Sequence, residues 1–476
     1  MQQTMNKPEL SFIIKDLGSI GDATLKLNDL TAIIGPNSSS KTYLTYIIYG
    51  FIKYLNNVNL IPSSLKSSKL NVIHDDLVSQ LKNGLTFSID MTIFDANLLV
   101  IINEIAANYV KTEAAKNLRL DLSSSFDLSI DIKNIIKATD IPLSLDSGLM
   151  FLKKEAGMSA VNGLINLSIL DKSLLSSHNP NEIAENLLPI FSILIIRQII
   201  SSLLKELFPN VFIITSERTG IAVFIDQLRS LVKERDDLSE NDKIKEVDVS
   251  AARSKITYQQ AVLNNIAEIN SINSQLEKSF LSEGDKHNNL SNFIERNIND
   301  GSYDIANSNN ISFKMKNDLS INLNASSSSV KSLFLIDTYI KYLARQNDLL
   351  IIDEPELNLH PSNQRKIARL IAMLVNSGVK VLFTTHSDYL MNEINNLIML
   401  NDITDNERSS ILKDYQIDAD ATISLDKVSV YYIHKDEFGN NVLDTCPIKN
   451  GIYEYQAFDD EIIKLSNLSE KLRELL

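Results

Sequence analysis

Between Asp348 and His360 the chain reads Asp-Leu-Leu-Ile-Ile-Asp-Glu-Pro-Glu-Leu-Asn-Leu-His. Four apolar residues, Leu349 to Ile352, run without a polar break into the paired acids Asp353 and Glu354. A strand buried on both faces of a parallel sheet has this unbroken pattern, and ligands bind beyond the carboxyl ends of such strands. The stretch therefore predicts an α/β fold with two carboxylates at the ligand-facing edge of its sheet. An acid directly after four buried positions and before Pro355 is poorly placed to be an ordinary surface carboxylate.

A second core strand, Leu30 to Ile34, stops at Gly35. The loop Gly35-Pro36-Asn37-Ser38-Ser39-Ser40-Lys41-Thr42 then leads into Tyr43 to Leu55, an apolar-rich segment of helical length. Strand, loop and helix form the context that a P-loop requires. A tight loop aims successive backbone N–H groups at phosphate oxygens, and the helix N-terminus adds partial positive charge. Lys41 is placed to bridge the outer phosphates and Thr42 to hold magnesium. The pattern Gly-x4-Gly-Lys-Ser/Thr is met except at its second glycine, which here is Ser40. With that loop upstream, Asp353 gains a role in ordering the magnesium shell and Glu354 in polarising the attacking water.

Other strand ends carry polar groups too. Val379 to Phe383 ends in Thr384-Thr385-His386-Ser387, which puts His386 at a strand end. Val211 to Ile214 ends in Thr215-Ser216-Glu217-Arg218, where Arg218 either faces nucleotide or ties an insertion down. Asn324-Ala-Ser-Ser-Ser-Ser-Val-Lys-Ser332 opens a helix, offering hydroxyls and free N–H groups to an anion. Ile311 to Met315 with Leu319 to Leu323, and Val428 to Ile433 with Asn441 to Cys446, alternate as hairpins.

These motifs together resemble the ABC-type ATPases of the SMC and OLD group, over roughly residues 8–56, 208–220 and 302–455. The resemblance implies an α/β, ABC-type P-loop ATPase head with an N-terminal antiparallel β portion, an α+β insertion and a short helical, coiled-coil-like arm. It implies ATP and Mg2+ as cofactors, and a homo-oligomer built on dimers that sandwich ATP between one P-loop and the other subunit's serine-rich signature. Gly35 through Thr42 would then cradle phosphate, Thr42 and Asp353 hold the metal, Glu354 act as general base and His386 sense the γ-phosphate. Ser327 would contact the γ-phosphate in trans. The family's second P-loop glycine is Ser40 and its signature glycine is Ser329, so a Cβ is expected to crowd the phosphate at both places, with either slow hydrolysis or ATP used chiefly as a clamp.

Within that group the short arm, the closing hairpin and the missing nuclease domain resemble stand-alone ATPases of bacterial anti-phage systems. The AriA-type ATPases of PARIS are nearest and the PtuA-type ATPases of Septu next. The implied function is an ATP-hydrolysing sensor and scaffold that controls a separately encoded effector nuclease in answer to a phage protein trigger. The alternative is an SMC-like DNA-repair or DNA-clamping ATPase.

Bulk properties narrow the setting. The 476 residues carry 46 Lys plus Arg against 60 acids, a net charge of -14, which argues against a general nucleic-acid coat and leaves any DNA contact local. One cysteine, Cys446, excludes an intrachain disulfide framework. The N-terminus lacks a secretory pattern. The greasy run Leu187 to Ile200 is interrupted by Pro189, Ser192, Arg197 and Gln198. It falls short of the ~20 residues a spanning helix needs. A cytoplasmic protein without a membrane role is expected.

The expected division is an ATPase head from 1–56, 208–224 and 302–476, an α+β insertion over 57–207, and a helical arm over 225–301. Along the arm Tyr258, Val262, Ile266, Ile269, Ile272, Leu276 and Phe280 make one apolar helical stripe. That stripe suits either a stub of coiled coil or a lid packed on its own head.

Overall fold

The strands Leu30–Ile34, Val211–Ile214 and Leu349–Asp353 are buried on both faces and lie among amphipathic helices such as Pro361–Asn376, the signature of a layered α/β protein. The structure is a computed structural model that describes residues 8–56, 68–83, 86–118, 126–134, 152–154, 164–169, 188–224, 259–271, 277–282, 290, 292–307, 310–454, 467–468 and 470–471. The main elements begin with strands β1 (Glu9–Leu17), β2 (Ile20–Lys26) and β3 (Leu30–Ile34), then helices α1 (Lys41–Leu55) and α2 (Ser68–Asn83). Next come β4 (Thr86–Asp90), α3 (Thr92–Tyr109), β5 (Asp127–Lys133), β6 (Leu152–Lys154), β7 (Leu164–Ile169) and α4 (Leu188–Leu207). They are followed by β8 (Val211–Ile214), α5 (Gln260–Ser271), β9 (Gly301–Asn307), β10 (Asn310–Met315) and β11 (Ser320–Asn322). The C-terminal part holds α6 (Ser328–Thr338), β12 (Leu349–Asp353), α7 (Pro361–Asn376), β13 (Lys380–Thr385), α8 (Asp388–Asp402), β14 (Val428–Lys435) and β15 (Asn441–Thr445).

Two compact units emerge: Met1–Ile14 with Phe51–Ala114 and Phe126–Asn210, and Lys15–Gly50 with Ala115–Ser125 and Val211–Leu476. In the second, strands run in the order β2-β15-β14-β3-β13-β12-β8. The five from β14 to β8 are all parallel. Every residue of β3, β8 and β12 is buried, as their unbroken apolar sequences demand. β13 lies between β3 and β12, so the strand that leads into His386 separates the P-loop strand from the strand that ends at Asp353.

Helix α7 shows why these segments fold as they do. His360 caps it by accepting from the Ser362 N–H, Pro361 occupies its first turn, and Ile367, Leu370, Ile371 and Leu374 form its buried face. Gly378 follows at φ 97, a conformation that side chains rarely adopt.

In the first unit α3 packs on β5, α2 on α4, and β4, β7 and β6 form a separate antiparallel sheet. Phe51, Tyr109 and Phe208 meet with ring centroids about 6 Å apart, 5.8 Å for Phe51–Tyr109 and 6.0 Å for Phe51–Phe208. The Thr92–Ala114 helix is apolar and long enough to cross a membrane. Its Phe94, Leu98, Ile101, Ile102, Ile105 and Tyr109 are instead buried in the unit, as in a core helix.

Most of the arm, including Tyr258, Ile272 and Leu276, lies outside the described residues. The described part of the stripe is informative: Val262, Ile266 and Ile269 on α5 join the buried core of the second unit, and Phe280 packs partly buried against it. This stretch packs on its own head, the second of the two arrangements that its apolar stripe allows. Ile266→Ala should therefore lower the unfolding free energy by about 2–4 kcal/mol in urea denaturation. A loss under about 0.5 kcal/mol would mean that the stripe is not core.

Candidate functional site

Parallel strands bring their carboxyl ends to one edge, and the register decides which residues meet there. Asp353 on β12 lies opposite Thr384 on β13, and Thr385 lies opposite Ile34, the last residue before the P-loop. Gly35 has φ 155, and a Cβ there would come within 3.0 Å of the Ile433 carbonyl oxygen on β14, so only glycine fits. Ser38 and Ser40 both take left-handed backbone, φ 59 and 68, the conformation from which anion-binding nests are built. Pro36, Asn37 and Ser38 are exposed, while Ser39 is buried and its hydroxyl donates to the Pro36 carbonyl at 2.8 Å.

Lys41 opens α1, and its ammonium donates to the Gly35 and Pro36 carbonyls at 3.0 and 2.8 Å. Burial pushes this ammonium down to about 8, against the opposing pull of the Glu354, Asp353 and Glu356 carboxylates. Thr42 donates its hydroxyl to Asp353 Oδ2 at 3.0 Å, and Thr384 donates to Asp353 Oδ1. Asp353 is fully buried, and burial pushes its carboxyl above the usual range despite these two donors.

Glu354 follows at φ 50, uncommon for a residue with a side chain. Its N–H donates to the Thr384 carbonyl at 3.2 Å. Its carboxyl stays half-buried, 3.8 Å from His386 Nε2. Burial, with the Asp353 charge behind it, raises Glu354, the direction a general base working near neutral pH needs. Burial, then Lys41, lowers His386 to about 4, so the ring that faces Glu354 is neutral at physiological pH. Glu356 holds this corner from behind: its Oε1 accepts from the Thr385 hydroxyl and the His386 N–H, both at 2.8 Å.

Arg218 ties the neighbouring strand to the same corner. Its guanidinium donates to the carbonyls of Ser332 at 3.0 Å, Thr215 at 3.3 Å, Asp353 at 2.9 Å and Glu354 at 2.6 Å. Of the two roles open to it from sequence, neither describes these contacts: Arg218 braces backbone within the head. Beside it Glu217 is exposed and accepts from the Tyr46 hydroxyl at 3.2 Å.

The structure thus gathers Gly35 to Thr42, Asp353, Glu354 and His386 at one sheet edge. Ser327 and Ser329 lie instead at the start of α6, joined to that edge through Ser332 and Arg218. Ser327 is exposed, and its hydroxyl caps its own helix by accepting from the Val330 N–H at 3.3 Å. The Ser40 hydroxyl is bonded to that of Ser19 at 2.7 Å in the β1–β2 turn. Arg218's bracing, Thr384 and Glu356 are the contributions that sequence reasoning left out. Threonine at the carboxyl end of a buried strand was the available signal for Thr384. The Thr42 hydroxyl and Asp353 carboxylate are hard oxygen donors 3.0 Å apart, a donor pair that fits Mg2+.

The AAA ATPase domain family matches residues 10–391 of the chain. No curated protein matches it. Among solved structures it is similar to the Smc head bound to the C-winged helix domain of ScpA, at 11% identity and TM-score 0.34, covering 93% of this chain and 99% of that one. A second is the Smc head with an extended coiled coil bound to the C-terminal domain of ScpA from Pyrococcus furiosus, at 12% identity and TM-score 0.32, covering 98% and 100%. A third is the SMC head domain from Thermotoga maritima, at 11% identity and TM-score 0.31, covering 93% and 100%.

Arg218 supplies a planar fork that a lysine cannot copy. Arg218→Lys should cost about 3 kcal/mol of stability, because it strands several buried carbonyls. Chemical denaturation measures this, and a cost below about 1 kcal/mol would show that the brace is dispensable.

Proposed function

The chain belongs to the AAA ATPase domain family, and from that premise we propose that it binds and hydrolyses ATP at the edge formed by β3, β12 and β13. The observation that carries the reading is the juxtaposition of Lys41, the Thr42–Asp353 pair and the Glu354–His386 pair at neighbouring strand ends. Lys41 and the backbone N–H groups of the loop bind the phosphates. Thr42 and Asp353 hold Mg2+, which when bound neutralises charge on the phosphate oxygens. Glu354 accepts a proton from the attacking water. The neutral His386 ring hydrogen-bonds the terminal phosphate, and Glu356 fixes its place.

A second copy of the chain completes the site. The exposed α6 start supports this, since Ser327 presents a hydroxyl and a helix N-terminus on the surface. The cellular role we propose is a sensor and scaffold of bacterial anti-phage defence that oligomerises through these dimers and holds a separately encoded effector nuclease. Resemblance to the stand-alone defence ATPases supports that role. The DNA-clamping alternative drew on the helical arm, whose described stripe is occupied by the head's own core.

Lys41→Ala should abolish ATP binding. Glu354→Gln should keep binding, slow turnover by about 10²–10⁴-fold and trap a dimer visible by light scattering with ATP and Mg2+. Equal loss of binding in both variants, or a Glu354→Gln protein that stays monomeric with ATP, would contradict the assignment.

A further inference from the structure

Ser40 stands where the P-loop pattern has glycine, and its φ of 68 is one that glycine adopts freely and L side chains rarely do. Something must hold it there. The Ser40 Oγ lies 2.7 Å from Ser19 Oγ and accepts from the Ser19 N–H at 3.3 Å. Asn441, at the start of β15, in turn donates its side-chain amide to Ser19 Oγ at 2.7 Å. Asn441 is itself anchored, being buried, paired with Ile20 of β2, and donating its backbone N–H to the Ser19 carbonyl at 3.1 Å.

The turn between β1 and β2 closes tightly on the loop. A Cβ on Gly18 would come within 3.2 Å of both Ser40 Oγ and the Tyr43 ring. All these residues belong to one compact unit, although Ser19 precedes Ser40 by 21 positions and Asn441 follows Ser19 by 422.

We propose that Ser19 and Asn441 are positioning residues for nucleotide binding, a relay that holds Ser40 in the left-handed conformation the phosphate cradle needs. The relay replaces the conformational freedom of glycine with hydrogen bonds and turns the serine side chain toward Ser19. It acts on the loop's shape before phosphate arrives, so it governs affinity and leaves the chemical step alone. The inference rests on the ATP-binding reading above.

A double-mutant cycle on the full chain tests it, with mant-ATP and Mg2+ as the probe. Ser19→Ala and Asn441→Ala should each raise Kd about threefold to tenfold, with kcat at saturating ATP within twofold of wild type. In a Ser40→Gly background the same two substitutions should change Kd by less than twofold, because glycine needs no relay. Thermal melts of all variants accompany the titrations; a purely structural role lowers Tm equally in both backgrounds and produces no coupling in Kd. Unchanged Kd in both single variants, or an equal rise in both backgrounds, overturns the relay. Wild-type protein that fails to bind mant-ATP overturns the ATP reading itself, and a wild type that binds while the cycle shows no coupling overturns the relay alone.

Discussion

The guanidinium of Arg218, 1% exposed, bonds carbonyls from three separate stretches: Thr215 after β8, Ser332 within α6, and Asp353 and Glu354 at the end of β12. A buried charge costs several kcal/mol unless its surroundings replace water. Burial accordingly lowers this group to about 10, while the Glu356, Asp353, Glu354 and Glu217 carboxylates work to keep it charged. The cation and the acid cluster thus depend on each other. Through that one group the serine-rich helix start and the strand that bears the acids are held in fixed relation, so the proposed subunit contact at Ser327 and the proposed phosphate site would be set together.

The acids at this edge are held where folding alone would not favour them. Asp353, Glu354 and Glu356 are all raised, chiefly by burial, and Glu354 also takes left-handed backbone immediately before Pro355. Such a residue costs roughly 1–2 kcal/mol and persists only where its surroundings over-determine it. Here the Thr384 carbonyl grips its N–H and Arg218 grips its carbonyl. The resulting geometry leaves the carboxyl half-exposed beside a neutral histidine, which suits proton transfer from water.

Much of this was legible in the chain. The apolar runs before Gly35, Asp353 and His386 announced buried parallel strands, and parallel strands end at a common edge, so the convergence of those residues follows from topology. What sequence could not supply were partners distant along the chain. Nothing in the local pattern shows that Ser19 and Asn441 lie beside Ser40. Arg218 reads as a nucleotide contact or a tie until four carbonyls appear around it. The stripe at Val262, Ile266 and Ile269 has the same spacing whether it meets a partner or its own head; only the packing distinguishes them.

The central claim is that one subunit's P-loop and another's serine-rich helix start form a single ATP site. Mixing two inactive variants, Lys41→Ala and Ser327→Arg, examines it directly. Each alone should hydrolyse no ATP, whereas the mixture should recover phosphate release, because the intact P-loop of one pairs with the intact Ser327 of the other. A mixture that stays inactive while Ser327→Arg still binds ATP would contradict the account.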